Sequence, residues 1–284
     1  MPELPEVETV RAGLAPVMEG RKFTRVKLNR EDLRFPFPKS FIRRLEGKSL
    51  ISLRRRAKFL MGELSSGETL IMHLGMSGRF TIETGSWPAD DTPTNPQHDH
   101  VIFTMQKLGS EKQGPTIIYN DPRRFGFMEL LGQGESGRLK GLGPEPLSNH
   151  FSGPSLFESL TGKKAPIKSA LLDQRIVAGL GNIYVLEALH ASHISPIRLA
   201  KDVTQDEAAL LTTEIKKTLE LAIKAGGSTL NDFAAADGAL GYFQHRFQVY
   251  GKEGTACPTP ACTGNIERIK QSGRSSFYCP NCQI

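Results

Sequence analysis

The chain opens Met1-Pro2-Glu3-Leu4-Pro5-Glu6. Met before Pro is a good substrate for methionine removal, which leaves Pro2 with a free secondary amine. A terminal amine has a reference pKa of about 7.7–8.0, against about 10.4 for lysine, so a useful fraction is unprotonated at neutral pH. Secondary amines attack carbonyl-like carbons and give cationic iminium adducts, which act as electron sinks for elimination. Glu3 lies beside that amine and can move protons, while Glu6 starts a helix. Pro and Glu are also ordinary at helix starts. Taken alone, these six residues fit a capped terminus better than a catalytic one.

A second group of reactive residues closes the chain. Cys257-x4-Cys262, sixteen intervening residues and Cys279-x2-Cys282 supply two close pairs across a loop. Zinc takes four soft donors in a tetrahedron, and each short spacing lets one tight turn present two thiolates. The alternatives are four unrelated thiols or two disulfides. Clustered cysteines in a chain with no export signal favour metal. Between the pairs lie Arg268, Lys270 and Arg274, placed to meet phosphates from a rigid hairpin or to serve as solvated surface charge.

Three further segments carry charge or exposed chemistry. Seven basic residues fall between Arg43 and Lys58 against the single acid Glu46, an electrostatic footprint for a phosphate backbone. Strand alternation puts Arg54, Arg56 and Lys58 on one face. His73-Leu-Gly-Met76-Ser-Gly78 and Asn120-Asp-Pro-Arg123-Arg124-Phe125-Gly126 combine tight turns with Met76 and Phe125 beside glycines. Apolar residues and an arginine on loop tips suit a wedge into a base stack. More often such residues fold back to cap a core.

The elements that must hold these residues follow from periodicity. Residues 5–19 read as a helix, with Pro5 in its first turn, Val7, Val10, Leu14 and Val17 on one face and Gly20 as the stop. From 22 to 132, short runs such as Thr24–Leu28, Phe59–Leu64, Thr69–Met72, Val101–Met105 and Thr116–Tyr119 suggest an antiparallel sandwich. Thr84–His98 reads as a long inserted loop without an assignable role. Helical signals then take over. Ser155…Glu158 and Thr204…Glu207 fit capping boxes, and Leu211, Ile215, Leu219 and Ala222 form a stripe ending at Gly226-Gly227. A short helix after Pro166 and another from Ile183 to Ala191 flank the tight turn Ala178–Asn182. The last 38 residues or so turn β-like.

Length and composition agree with this layout. At 284 residues, two domains with a small appendage are expected. Hydrophobic residues at 38%, with 28 glycines beside them, support a folded core. There is no apolar run of about 18–20 residues and no secretory leader, which implies the cytosol. The net charge of +6 is a mild excess, so its clustering carries the case for a polyanionic partner.

Taken together, the segments resemble the bacterial formamidopyrimidine-DNA glycosylase family over essentially the whole chain. The matching pieces are Pro2-Glu-Leu-Pro-Glu-Val-Glu-Thr9, Arg55-Arg-Ala-Lys58, His73-Leu-Gly-Met-Ser-Gly78, Asp121-Pro-Arg-Arg-Phe-Gly126, Gly179-Leu-Gly-Asn-Ile-Tyr184, Asp237-Gly…Gly241-Tyr-Phe-Gln244 and Gly273-Arg-Ser-Ser-Phe-Tyr-Cys279. The resemblance implies an α+β protein. Its parts are an N-terminal helix plus antiparallel β-sandwich (2–132), a helix–two-turn–helix domain (150–236) and a C-terminal zinc-finger β-hairpin (247–284). DNA would lie in the cleft between the two main domains. It further implies Pro2 as the nucleophile at C1′, Glu3 as its acid/base partner, Lys58 as proton donor in a first elimination and Arg274 in a second.

By the same resemblance, Met76, Arg123 and Phe125 fill the gap left by a flipped base. His100, Arg124, Lys164, Lys168 and Asn182 contact DNA, and the Asp237–Gln244 region closes over the base. Cys257, Cys262, Cys279 and Cys282 hold one structural zinc. The implied activity is a bifunctional glycosylase and abasic-site lyase for oxidised purines in double-stranded DNA. It would act as a cytoplasmic, nucleoid-associated monomer. The related endonuclease for oxidised pyrimidines is the nearest rival, and Pro2-Glu-Leu-Pro-Glu and Gly241-Tyr-Phe-Gln244 favour the purine enzyme. A lesion-binding module without catalysis is disfavoured by Pro2, Glu3 and Lys58. An RNA-binding zinc-ribbon protein leaves the amino terminus unexplained. One departure concerns the metal: the first cysteine pair is spaced x4 where the family usually has x2, which predicts a wider first turn.

Overall fold

A computed structural model describes residues 2–83, 96–229 and 241–284. The chain forms two compact units, one of residues up to Lys140 together with Gly226–Gly241, the other of Gly141–Ala225 with Tyr242–Ile284.

The first unit begins with α1 (Leu4–Met18). Pro5 presets its first turn, and Val7, Val10, Leu14 and Met18 recur at helical spacing and are buried. Met18 rather than Val17 completes the apolar face; Val17 is only half-buried. There follow β1 (Phe23–Leu28), α2 (Phe41–Leu45), β2 (Leu50–Arg56), β3 (Phe59–Leu64), β4 (Thr69–His73), β5 (Arg79–Glu83), β6 (Asp99–Met105), β7 (Thr116–Asn120) and β8 (Phe127–Leu131). They make two four-stranded antiparallel sheets, in the orders β1-β6-β7-β5 and β2-β3-β4-β8. One core takes Phe23, Phe80 and Phe103 from the first sheet, Leu53, Leu60 and Met72 from the second, and the apolar face of α1. The expected sandwich is present. Most of the Thr84–His98 loop lies outside the described residues; Pro96–His98 form a single 3₁₀ turn.

The second unit holds α3 (Gly153–Leu160), α4 (Ile167–Leu172), α5 (Asn182–Ala191), α6 (Gln205–Lys224) and a hairpin of β9 (Glu267–Gln271) and β10 (Arg274–Tyr278). Thr204 and Glu207 form the expected capping box, and Leu211, Ile215, Leu219 and Ala222 are fully buried. The other box is Ser152 with Ser155, not Ser155 with Glu158. Gly153-Pro154 already occupies the first helical turn, so the cap falls one turn earlier. Between α4 and α5 the Gln174 side chain knits the turn, donating to the carbonyls of Leu172 and Leu180 and accepting the Gly179 N–H at 2.8 Å. Seven consecutive residues of α5, Tyr184–His190, are buried, so this helix shows no polar face. Among the described residues no helix is long and apolar enough to cross a membrane.

Candidate active site and metal centre

Glu3 stands at the N-cap of α1 and is 4% exposed. Glu6, one turn on, uses both carboxylate oxygens. Oε2 accepts the Glu3 N–H at 2.9 Å and Oε1 accepts the Ser228 N–H at 2.8 Å, near the positive end of the helix. Pro2 is half-buried beside this pair. The Ser228 contact belongs to a close approach of backbone: a Cβ on Gly227 would lie 3.1 Å from Glu6 Oε1, and one on Gly241 only 2.4 Å from the Gly227 carbonyl. The flanks of residues 230–240 therefore meet each other and Glu6. The part of the Asp237–Gln244 region before Gly241 lies outside the described residues.

Lys58 is buried and sits in the two-residue connection between β2 and β3, where Arg56 pairs with Phe59. It is not on a strand face with Arg54 and Arg56, because the strand ends before it. Ala57 adopts the left-handed conformation (φ 54°), which costs an L-residue about 1–2 kcal/mol and re-aims the side chain that follows. Arg55 holds this tip by donating to the Ala57 carbonyl at 3.0 Å and to Glu8 at 3.0 Å. Glu8 also accepts from Arg11 at 2.7 Å. The helix that starts at Glu3 and the turn that carries Lys58 are thus tied together.

His73 stacks on Phe127 with ring centroids 5.1 Å apart, and its Nδ1 accepts the Gly75 N–H at 3.0 Å. Burial, reinforced by Lys58 and Arg34, pulls its pKa down to about 4. Its folded value is thus below the unfolded value of about 6.5. The unfolded chain binds the extra proton between those two values, so stability falls as the pH drops from 6.5 towards 4 and levels off below. A loss of roughly 1–3 kcal/mol over that window is expected. Urea midpoints against pH check this, because His73→Asn should show a flatter slope than the parent. Equal slopes would refute it.

The two loops singled out by their glycines form one piece. Buried Asp121 accepts from Ser77 Oγ at 2.6 Å, from the Tyr119 hydroxyl at 3.2 Å and from the Gly126 N–H at 2.8 Å. Ser77 Oγ in turn accepts the Arg123 N–H at 3.2 Å. Met76 (37% exposed) and Phe125 (42%) project from this platform, and the Arg123 guanidinium lies 4.9 Å from the Phe125 ring centre. Neither apolar residue folds back into the core. Arg124 is exposed, with φ 55°.

Gly75 holds the loops at closest approach. It has φ +63°, and a Cβ there would sit 2.3 Å from the Gly126 nitrogen. Gly75→Ala is expected to cost about 2–4 kcal/mol from strain plus overlap. Gly67→Ala, with φ +83° but open space around it, should lose only the backbone component of about 1–2 kcal/mol. Denaturant unfolding of the two variants side by side is the check, and equal losses would show that the contact is not tight.

In the second unit, Arg274 opens β10 after a Ser272-Gly273 turn with both φ values positive, and it is exposed. Lys164 is also exposed. Asn182 Nδ2 donates to the Ser275 carbonyl at 3.0 Å. Lys168 is 1% exposed, and its Nζ donates to Ser276 Oγ at 2.6 Å and to the Ser275 carbonyl at 3.2 Å. Burial, helped by nearby Arg274, draws its pKa down to about 8. His100 is likewise buried, with Nε2 2.9 Å from the Asp121 carbonyl. In this arrangement Lys168 and His100 hold the residues that flank exposed arginines rather than stand on the surface.

The four cysteine sulfurs lie within 4.8 Å of one another. Cys257–Cys282 and Cys262–Cys279 are each 3.6 Å apart, close to the edge of about 3.8 Å in a tetrahedron with 2.3 Å Zn–S bonds. A disulfide needs about 2.05 Å, so the pairing alternative fails. Cys262 accepts from Asn281 Nδ2 at 3.2 Å and from the Gly264 N–H at 3.5 Å. The Asn281 bond leads in lowering its pKa to about 7, which suits a thiolate ligand. The wide first turn is accommodated by Ala261 in the left-handed region (φ 64°). Asp121, Ser77, Gln174 and the partners of Glu6 have no signature of their own in the sequence.

Comparisons with known proteins match these regions in order. Family models for the formamidopyrimidine-DNA glycosylase N-terminal domain, the corresponding H2TH domain and a zinc finger found in FPG and IleRS match residues 1–128, 142–234 and 257–284. A formamidopyrimidine-DNA glycosylase of Caulobacter sp. (strain K31) is 50% identical, with 100% of both chains covered. The crystal structure of the MutM (FPG) protein from Thermus thermophilus superposes with a TM-score of 0.84 at 38% identity, covering 99% of this chain and 98% of that one. A Lactococcus lactis FPG mutant in complex with Fapy-dG containing DNA gives 0.86 at 34% identity, covering 99% of each.

Proposed function

The chain belongs to the formamidopyrimidine-DNA glycosylase family, and from that premise we propose that it excises oxidised purines from double-stranded DNA and then cleaves the strand through an iminium on Pro2. The Pro2 nitrogen forms a bond to C1′ as the glycosidic bond breaks. The base leaves with that electron pair and is protonated. Glu3 takes the N–H proton that Pro2 releases on attack and delivers it to the ring oxygen as the sugar opens, and the freed nitrogen lone pair completes the C1′=N⁺ iminium. That cation acidifies the C2′ proton. Its loss expels the 3′ phosphate, with Lys58 as proton donor, and a second elimination expels the 5′ phosphate, with Arg274 assisting. Water then hydrolyses the adduct and restores the amine.

The arrangement of the amino terminus carries this reading. Glu6 is committed to two backbone N–H groups, and Glu3, whose carboxylate takes part in the same capping box, is the carboxyl adjoining Pro2 in the chain. Zinc has no part in the chemistry, because four thiolates fill its coordination sphere. Met76, Arg123 and Phe125 would occupy the gap of an extruded nucleotide, whose unstacking costs a few kcal/mol. Arg124, Lys164 and Asn182 would meet the backbone, supported by His100 and Lys168.

The test is cyanoborohydride trapping on an 8-oxoguanine:C duplex beside a thymine-glycol duplex, with protein whose mass shows Met1 removed. Faster trapping on 8-oxoguanine, much reduced in Pro2→Gly, is expected. Trapping mainly on thymine glycol would move the substrate to oxidised pyrimidines. No adduct on either duplex, with DNA still bound, would remove the lyase step.

A further inference from the structure

Zinc bound by four thiolates carries two negative charges in excess, and buried sulfurs need hydrogen-bond donors to offset them. Cys262 finds its donors within the finger, in Gly264 and Asn281. Cys257 and Cys282 are served differently. His190 Nε2 lies 3.6 Å from Cys257 Sγ, and Thr259 Oγ1 lies 3.3 Å from the same nitrogen and 3.7 Å from Cys282 Sγ. His190 is 5% exposed and comes from the last turn of α5, not from the finger.

We propose that His190 and Thr259 are positioning residues of the zinc site, donating to the Cys257 and Cys282 thiolates and fastening the metal to α5. One arrangement of protons satisfies all three distances. A metal-bound thiolate only accepts, so His190 Nε2–H points at Cys257 Sγ and is shared with Thr259 Oγ1. The Thr259 hydroxyl proton then points at Cys282 Sγ. Thr259 lies within the wider first turn, two residues after Cys257.

The same helix meets the finger at two more heights. Glu187 accepts the N–H groups of Gln248, Val249 and Tyr250 at 2.8, 3.1 and 2.8 Å. Asn182, its first residue, donates to the Ser275 carbonyl beside Arg274. The metal thereby sets the frame that carries Asn182 and Arg274, as well as the finger's own turns.

The test uses the full chain and needs no DNA. Zinc release to a chromophoric chelator and the thiolate-to-cobalt absorption band of the Co²⁺-substituted protein are measured for His190→Ala, His190→Gln and Thr259→Val. His190→Ala should release zinc about 10–100-fold faster and shift the band. His190→Gln, which keeps an N–H donor, should recover most of both. Thr259→Val should shift the band with a smaller rate change. Faster release in His190→Ala with no band shift and no recovery in Gln would reduce His190 to packing and overturn the proposal, as would unchanged rates and spectra. If His190→Ala fails to fold, Thr259→Val decides, since Thr259 is only half-buried.

Discussion

Glu3→Gln is expected to excise 8-oxoguanine roughly 10²–10⁴-fold more slowly than the parent while binding an uncleavable abasic analogue with similar affinity. Glutamine keeps the shape and a carbonyl acceptor at the N-cap, so the start of α1 survives. What disappears is the ability to give and take a proton beside Pro2. Glu6→Gln makes the contrasting case. Both oxygens of Glu6 face N–H donors, so an amide NH₂ necessarily confronts one of them. The cost falls on stability, about 1–3 kcal/mol. Single-turnover excision and urea unfolding of both variants separate the roles. A Glu3→Gln rate within tenfold of the parent would move the proton transfer to another group.

Removing the metal has the second large effect. Structural zinc supplies on the order of 10 kcal/mol to small tetrathiolate folds, more than the hairpin of β9 and β10 can replace. Cys279→Ala or chelation is expected to release one zinc per chain and weaken binding to an abasic-analogue duplex by at least about 100-fold. The damage spreads, because Ser275 and Ser276 are the acceptors for Asn182 and Lys168. Without them Lys168 is a buried amine with no counterpart. The first unit should keep its protease resistance, which limited digestion reads directly. Undiminished DNA binding by metal-free protein would show that the hairpin stands without zinc.

The sequence was most legible where one residue type has one strong local preference. The α6 stripe and its Thr204–Glu207 cap, the cysteine spacings and the start of α1 were all visible. The sheets were harder to read. β2 ends in Arg54-Arg55-Arg56, whose charges hide the alternation, and β8 packs on both faces and so shows no period of two. Lys58 looked like a strand residue because nothing in Arg56-Ala57-Lys58 marks a turn; an alanine with positive φ is a tertiary decision. Asp121 was visible only as a letter in a motif, since its role comes from Ser77, Tyr119 and Gly126 meeting in space. α5 is buried all round, so its pattern named no face and gave no hint that His190 reaches a cysteine 67 residues later.

The contact between Glu6 and Ser228 spans 222 residues. Synthesis runs from the amino end, so α1 leaves the ribosome long before the backbone N–H that its first turn receives. Until the Gly226–Ser228 stretch emerges, one oxygen of the carboxylate that also holds Glu3 lacks its partner. The first turn of α1 is therefore made long before it is fully assembled. A chain released early would carry the proposed nucleophile without the backbone that caps Glu6 beside it.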